Sequence, residues 1–421
     1  QIETVADLYC RSKNTVFAWG MGMTHHQHGV ANIEYISNLA LLRGMIGKPH
    51  AGLLPLRGHS NVQGIGTIGV KPVLPEQVLQ RIQEYFSVEL PAQSGLDTLA
   101  CLQAAHAGKI DFALLMGGNL YGASPDQGWV GEALDRIPLK VFLTTTLNHG
   151  HVHGMDNSAS LVLPVTARDE EWDSTTQESM FNYVRLSDGG ITRLEEVRPE
   201  VHILTTIAER VLSSCSLDFS AFRKHKQTRA AIAACVPGME QLADIDGVGE
   251  RGKVGESAAE TSDENASAPR EFHIPGRLLH QRSFKTKDQR ANFIYHSFVF
   301  DQQTEAYPYT MMSVRSEGQF NTIIYEEEDS YRDTDDRWSV LMSPRDMIRL
   351  GISADQRVTL RSAHGEMAGL KVFPVDIPEF NLMTYFPEAN ILIGRQHDAR
   401  SQTPAFKSVA VQLQVDRALA S

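Results

Sequence analysis

The chain has 421 residues, enough for two to four domains, with 42% hydrophobic and 21% charged residues, which excludes a stapled mini-protein and a disordered chain. No apolar run approaches the roughly 18 residues that a membrane-crossing helix needs, so no membrane span is expected. Basic residues number 39 against 51 acidic ones, and the net charge of -12 argues against nucleic-acid or anionic-membrane partners while leaving room for a local anion site.

The chain opens at Gln1 directly on an amphipathic helical pattern, IETVADLYCRS, which reads as the interior of a longer protein rather than a leader. TVFAWGMG (15–22) predicts a strand, and Ile33, Ile36, Leu39, Leu42 and Ile46 predict a helix stopped by Gly47 and Pro49. DFALLMGGN (111–119), KVFLTTT (140–146) and ASLVLPV (159–165) predict three more strands, with a helix at WVGEALDRI (129–137). Strands spaced this way with helices between them fit a parallel βαβ sheet whose strand-end loops share one edge. We therefore expect an α/β region over 1–246, with its core within about 1–210. Residues 247–270, rich in Gly, Ser, Ala and Glu, read as a linker or exposed loop. Residues 271–421 carry short β-prone runs, YTMMSV, WSVLM, RVTLRS, GLKVF and SVAVQLQV, and predict a compact β-barrel. One helix interrupts them: SPRDMIRLGI (343–352), with Ser343 as N-cap, Pro344 at the first position, Asp346 completing the cap and Gly351 as stop.

Cys10, Cys101, Cys215 and Cys235 form no CxxC pair and are too sparse for a secreted disulfide framework, so a reducing, cytoplasmic setting is expected. Two histidine runs stand out, His25, His26 and His28 in THHQH and His149, His151 and His153 in NHGHVHG. HxH spacing presents two imidazoles to one metal, yet no HExxH helix or matching carboxylate pair accompanies it. Two readings stay open: a zinc or zinc-hydrolase site, or histidines serving loop hydrogen bonds and an anionic ligand. MGGN (116–119) and TTTLNHGH (144–151) follow predicted strands, where backbone N–H groups of a glycine turn approach phosphates closely. Neither turn carries GxGxxG, and both also read as ordinary strand-to-loop turns. The glycine-dense run 44–69 surrounds Arg57, which sits between Pro55 and Gly58 on a stiffened turn. Such an arginine holds a small carboxylate through a bidentate fork or, more ordinarily, makes a surface salt bridge.

NLALLRGMIGKPHAGLLPLRGHSNVQG (38–64), preceded by WGMGMTHHQHG (19–29), resembles the C-terminal half of the molybdopterin oxidoreductases of the formate-dehydrogenase-like group. The resemblance runs on in the family's order through LLMGGN, LVLP, SVRSEGQFNT (313–322), DMIRLGISADQRVTL (346–360) and PAFKSVAVQL (404–413).

It implies a molybdenum or tungsten ion held by two molybdopterin guanine dinucleotides. The first region would be dinucleotide-binding, and the last a double-psi-type barrel closing over the pterins. Carried over by motif, Gly117, Gly118 and Asn119 would approach one dinucleotide, with Thr145, Leu147, Asn148 and His149 from the next strand end and Asp156 as a guanine contact. Arg315, Gln319, Asn321, Asn390 and Lys407 would contact the pterins. Arg57 matches the arginine beside the metal, with His59 and Asn61 in the same loop, and would fix formate or a similar small substrate. His59 stands where formate dehydrogenases often carry glutamine, so the substrate is open. The family's metal-ligating Cys or selenocysteine and any iron–sulfur cysteines have no counterpart here. The resemblance therefore implies a missing N-terminal half as partner, with the electron acceptor undetermined. A non-catalytic scaffold that keeps the fold is the alternative.

Overall fold

The computed structural model describes residues 1–247, 270–274, 282–297, 304–319, 321–323, 325–353 and 356–416. Most of the expected 247–270 linker lies outside the described residues.

In the first region β1 (Val16–Trp19) pairs in parallel with β2 (Gly52–Pro55). The helix between them runs Gly29–Leu42 and ends before Ile46, which was expected within it. Gly44, at φ +63, is the reason: its N–H bonds Leu41 O at 3.0 Å and the Met45 N–H bonds Ala40 O at 2.8 Å, a left-handed closure that caps the last turn. β3 (Phe112–Met116), β4 (Leu139–Thr144) and β5 (Ala159–Pro164) form the expected parallel sheet in the order β3-β4-β5. The helix Gln127–Asp135 crosses from β3 to β4, burying Val130, Ala133 and Leu134 against Leu102 and Ala105.

A third sheet was not foreseen. β6 (Thr175–Glu178), β7 (Tyr183–Ser187) and β8 (Glu271–His273) pair antiparallel. Val184, Leu186 and Phe272 from it pack on Cys235 and Val236 at the end of the helix His225–Cys235. The expected barrel boundary at residue 271 is therefore too early, because the chain returns to the first region before the barrel begins.

The barrel is closed and six-stranded: β9 (Tyr309–Val314), β10 (Ser339–Met342), β11 (Arg357–Arg361), β12 (Glu366–Pro374), β13 (Asn381–Tyr385) and β14 (Val409–Val415), in the order β10-β12-β11-β14-β9-β13. Two pairs, β10–β12 and β9–β13, are parallel and the rest antiparallel. β13, with the sequence NLMTY, was absent from the predicted runs. The helix Pro344–Leu350 has its expected cap, Ser343 Oγ accepting from Arg345 N at 3.3 Å, and its stop at Gly351 (φ +67). Asp346 does not complete that cap. It is fully buried, accepts from Phe380 N at 2.8 Å and pairs with Arg349, tying the helix to the chain entering β13.

Candidate functional site

The strand ends of the parallel sheet form the first half of the site. β3 runs into Gly117 and Gly118 at φ +62 and +74, a backbone that favours glycine, and a Cβ on either would meet nothing within 4 Å. The turn is thus a backbone surface open to a ligand. Asn119 behind it is buried; its Oδ1 accepts from Gly122 N at 2.7 Å and its amide reaches Thr322 O. From the loop after β4, Asn148 donates to Gly118 O at 3.1 Å and accepts from Gly150 N at 2.9 Å, locking the two strand-end loops together. Thr145, Leu147, His149 and Asp156 are exposed.

The barrel supplies the second half. Asn390 is fully buried and donates to Gly122 O at 2.7 Å, so Asn119 and Asn390 grip the same glycine from opposite lobes; the Oδ1 of Asn390 has no partner. Gln319 is buried in the barrel wall, accepting from Ser316 N at 3.1 Å and donating to Phe386 O at 2.7 Å. These bonds tie the loop after β9 to the chain leaving β13. Asn321 lies beside it, accepting from Ile323 N at 2.8 Å and bonded through its carbonyl to Gln319.

Arg315 and Lys407 meet His25 of the first histidine run. Lys407 N donates to His25 O at 3.1 Å, its ammonium reaches Ser313 O, and the His25 ring lies 5.2 Å from Phe406. The Arg315 guanidinium lies 5.0 Å from the centre of the Phe386 ring. Burial first, then Arg315 and Arg332, bring the Lys407 ammonium down to about 8. Burial first, then Lys407, Arg315 and His26, bring the His25 imidazole down to about 4. The charged Arg315 and Lys407, held close with the neutral His25 ring beside them, form a donor set for an anion, whose charge would relieve the repulsion between the two cations.

The third element is the loop between β2 and the helix Val62–Thr67. Arg57 and His59 are exposed on it, and Arg57 has no ion-pair partner among the described residues. Asn61, at φ +66, does not face outward: its Oδ1 accepts from Glu178 N of β6 at 3.0 Å. Arg168 clamps the neighbouring Ser60 at 3.2 Å. The run Gly64–Gly69 spells GxGxxG, a match passed over in the sequence. Its first glycines lie inside the short helix rather than in a strand-to-helix turn, so it is no dinucleotide fingerprint. Gly64 instead makes room for Asn61, whose Oδ1 would lie 2.0 Å from a Cβ there.

The histidine runs do not make a metal centre. Among the described residues no group of three or more His, Cys, Asp or Glu side chains is placed to hold a metal ion. His151 Nδ1 accepts from Asn148 N at 3.1 Å, and His26 bonds Gly22 O at 2.8 Å. The zinc-hydrolase reading is thereby set aside. The open glycine turn, the orphan amide oxygen of Asn390 and the crowded cations fit a large anionic dinucleotide.

Residues 4–210 match the family model described as molybdopterin oxidoreductase, and residues 309–410 match the molybdopterin dinucleotide binding domain. An uncharacterized oxidoreductase of Mycobacterium tuberculosis is 33% identical over 98% of this chain and 53% of its own length. Protein YdeP of Escherichia coli is 31% identical over 98% of this chain and 54% of its own, and formate dehydrogenase H of the same species 24% over 98% and 57%. The chain spans about half the length of the curated relatives it matches. Acetylene hydratase from Pelobacter acetylenicus shares the fold with a TM-score of 0.53 at 13% identity, over 83% of this chain and 50% of that one. Among the described residues no helix is long and apolar enough to cross a membrane.

Proposed function

The chain belongs to the molybdopterin oxidoreductase family, and from that premise we propose that it is the cofactor-cradling part of a formate-dehydrogenase-like enzyme that oxidises formate or a similar small carboxylate by two electrons. Its cofactor is a molybdopterin guanine dinucleotide carrying molybdenum or tungsten, which when bound supplies the two-electron acceptor. The open backbone face of the Gly117–Gly118 turn and the Asn148 loop would hold one dinucleotide, and the Arg315, Lys407 and His25 cluster would take anionic groups from the barrel side. Asn390 offers its orphan oxygen to a donor of the cofactor.

The observation that carries the substrate reading is the exposed, unpaired guanidinium of Arg57 on a loop clamped by Asn61 and Ser60. Such a fork binds a carboxylate bidentately and fixes its orientation, and the exposed His59 two residues on would take the released proton. The remainder of the family polypeptide is the proposed partner, supplying the metal ligand and any iron–sulfur cluster. The setting is proposed as cytoplasmic, in keeping with four free cysteines. The test is co-expression with that remainder, reading metal content, pterin fluorescence and formate-dependent dye reduction. Arg57→Ala is expected to keep metal and pterin and lose about a hundredfold or more in turnover. Normal turnover in that variant removes Arg57 from the mechanism, and pterin-free, metal-free protein overturns the whole reading.

A further inference from the structure

The loop that carries Arg57 is met by a second arginine whose charge the roles above leave aside. Arg168 opens the 3-10 turn Arg168–Glu170 after β5, and its Nη1 donates to Ser60 Oγ at 3.2 Å and to Gln177 Oε1 on β6. Both bonds use that one nitrogen. Nε and Nη2, the pair of donors whose spacing matches the two oxygens of a carboxylate, make no bond among the described residues.

The carboxylates nearest to Arg168 in the chain are engaged elsewhere. Asp169 accepts from Arg193 Nη1 at 3.0 Å, and that bond holds its carboxyl below the usual range. Glu170 accepts from Ala167 N at 2.8 Å and lies 3.4 Å from Arg193. Glu171 accepts from Thr166 Oγ1 at 2.5 Å and lies 3.4 Å from His225. Glu178 is buried and, by the alternation of a strand, sits on the face of β6 opposite to Gln177. Arg168 is therefore an exposed cation in an acidic stretch that forms an ion pair with none of these carboxylates.

Arg57 stands three residues before Ser60, so the two Cα atoms are at most about 11 Å apart. Its guanidinium too is exposed and without an ion pair among the described residues. The turn at Ser60 is pinned, Ser60 by Arg168 and Asn61 by Glu178 N at 3.0 Å. We infer that the substrate carries two acid groups, with Arg57 taking the carboxylate at the reacting end and the Nε–Nη2 edge of Arg168 taking a second one, so that the site selects a short dicarboxylate over formate. The inference rests on the substrate reading of Arg57 above and narrows it. A monocarboxylate fills one fork and leaves the other in water, whereas a dicarboxylate engages both and is fixed at each end.

The test uses the full chain with malonate and acetate, which differ by one carboxylate, at matched ionic strength. Binding is followed by calorimetry and by the arginine Nε–H resonances in the unaltered chain, in Arg57→Ala and in Arg168→Gln, with thermal melting as the check on folding. The expected result is malonate binding about tenfold tighter than acetate, movement of the Arg57 and Arg168 resonances together, loss of the preference in Arg168→Gln and weaker binding of both ligands in Arg57→Ala. Malonate no tighter than acetate, a preference that survives in Arg168→Gln, an Arg168 resonance that stays still, or malonate binding untouched in Arg57→Ala each overturn the inference. So does equal weakening of both ligands in Arg168→Gln, which would leave Arg168 as a brace of the loop. None of these outcomes decides the cofactor reading, which pterin fluorescence and metal content of the co-expressed protein test separately.

Discussion

The barrel and the parallel sheet are built from similar apolar strands, yet they treat those strands in opposite ways. In the barrel Met311, Val340, Leu360, Leu370 and Leu382 are wholly buried, and closure leaves no strand with a free edge. In the β3-β4-β5 sheet the edge strands keep large apolar side chains in water: Phe112 and Met116 are about half exposed (49% and 50%), and Leu161 is 54% exposed. The helix Ile2–Arg11 buries nothing and leaves Ile2, Val5 and Leu8 exposed. The barrel satisfies its own chain, whereas the first region presents apolar surface for something else to cover. In the proposal above that covering is the remainder of the family polypeptide.

The sharpest way to break this contrast is truncation on each side of it. Leu360→Ala in the barrel is expected to cost about 2–5 kcal/mol, and Leu161→Ala at the sheet edge to stay within about 0.5 kcal/mol, both read from denaturant midpoints. Equal losses would show that the edge strand is packed after all.

A smaller and pH-dependent effect probes the seam between the two lobes. Lys407 is pulled down from 10.5 to about 8 in the folded chain. Above about pH 8 the folded protein releases a proton that the unfolded chain keeps until about 10.5, so stability rises with pH through that window, by about 3 kcal/mol in all. Below it both states are charged and the penalty is constant. Lys407→Met is expected to flatten the slope, and so is added pyrophosphate, which restores the charged form; a slope unchanged in Lys407→Met would place the titration elsewhere. Last comes Asn390→Ala, which leaves the Gly122 carbonyl only the long 3.5 Å bond from Gln127 and is expected to cost about 1–3 kcal/mol in thermal or denaturant unfolding. A neutral result would mean that water replaces the amide and that the two lobes are not joined there.

Much of this was legible in the residues. The strand-helix alternation of the first region and five of the six barrel strands follow from apolar runs between breakers. The Ser343, Pro344 and Gly351 punctuation set the barrel helix for local reasons of capping and φ. What failed did so where partners lie far away in the chain. Asp346 has the spacing of a capping residue, but Phe380 N and Arg349 claim its carboxylate. β6 and β7 form a local hairpin that is unremarkable as text, and β8 joins it only by pairing residues 183–185 with 271–273.

The site divides in the same way. Glycines 117 and 118 and Arg57 could be singled out in sequence, since each carries its chemistry in a local conformation or a charge, and Lys407 only through the resemblance. Asn61, Asn119, Asn148, Gln319 and Asn390 could be named but not assigned, because an amide has both donor and acceptor and takes its role from whichever backbone group stands opposite. His25 and Arg168 gained their places only from contacts with the barrel loop and with the Arg57 loop. Apolar periodicity gave the two-lobed plan, while the family and the cofactor class were implied by the resemblance that the motif order carries. The meeting of His25 with Lys407 and that of Arg168 with Ser60 were decided by folding alone, because long-range packing chooses neighbours that no local pattern encodes.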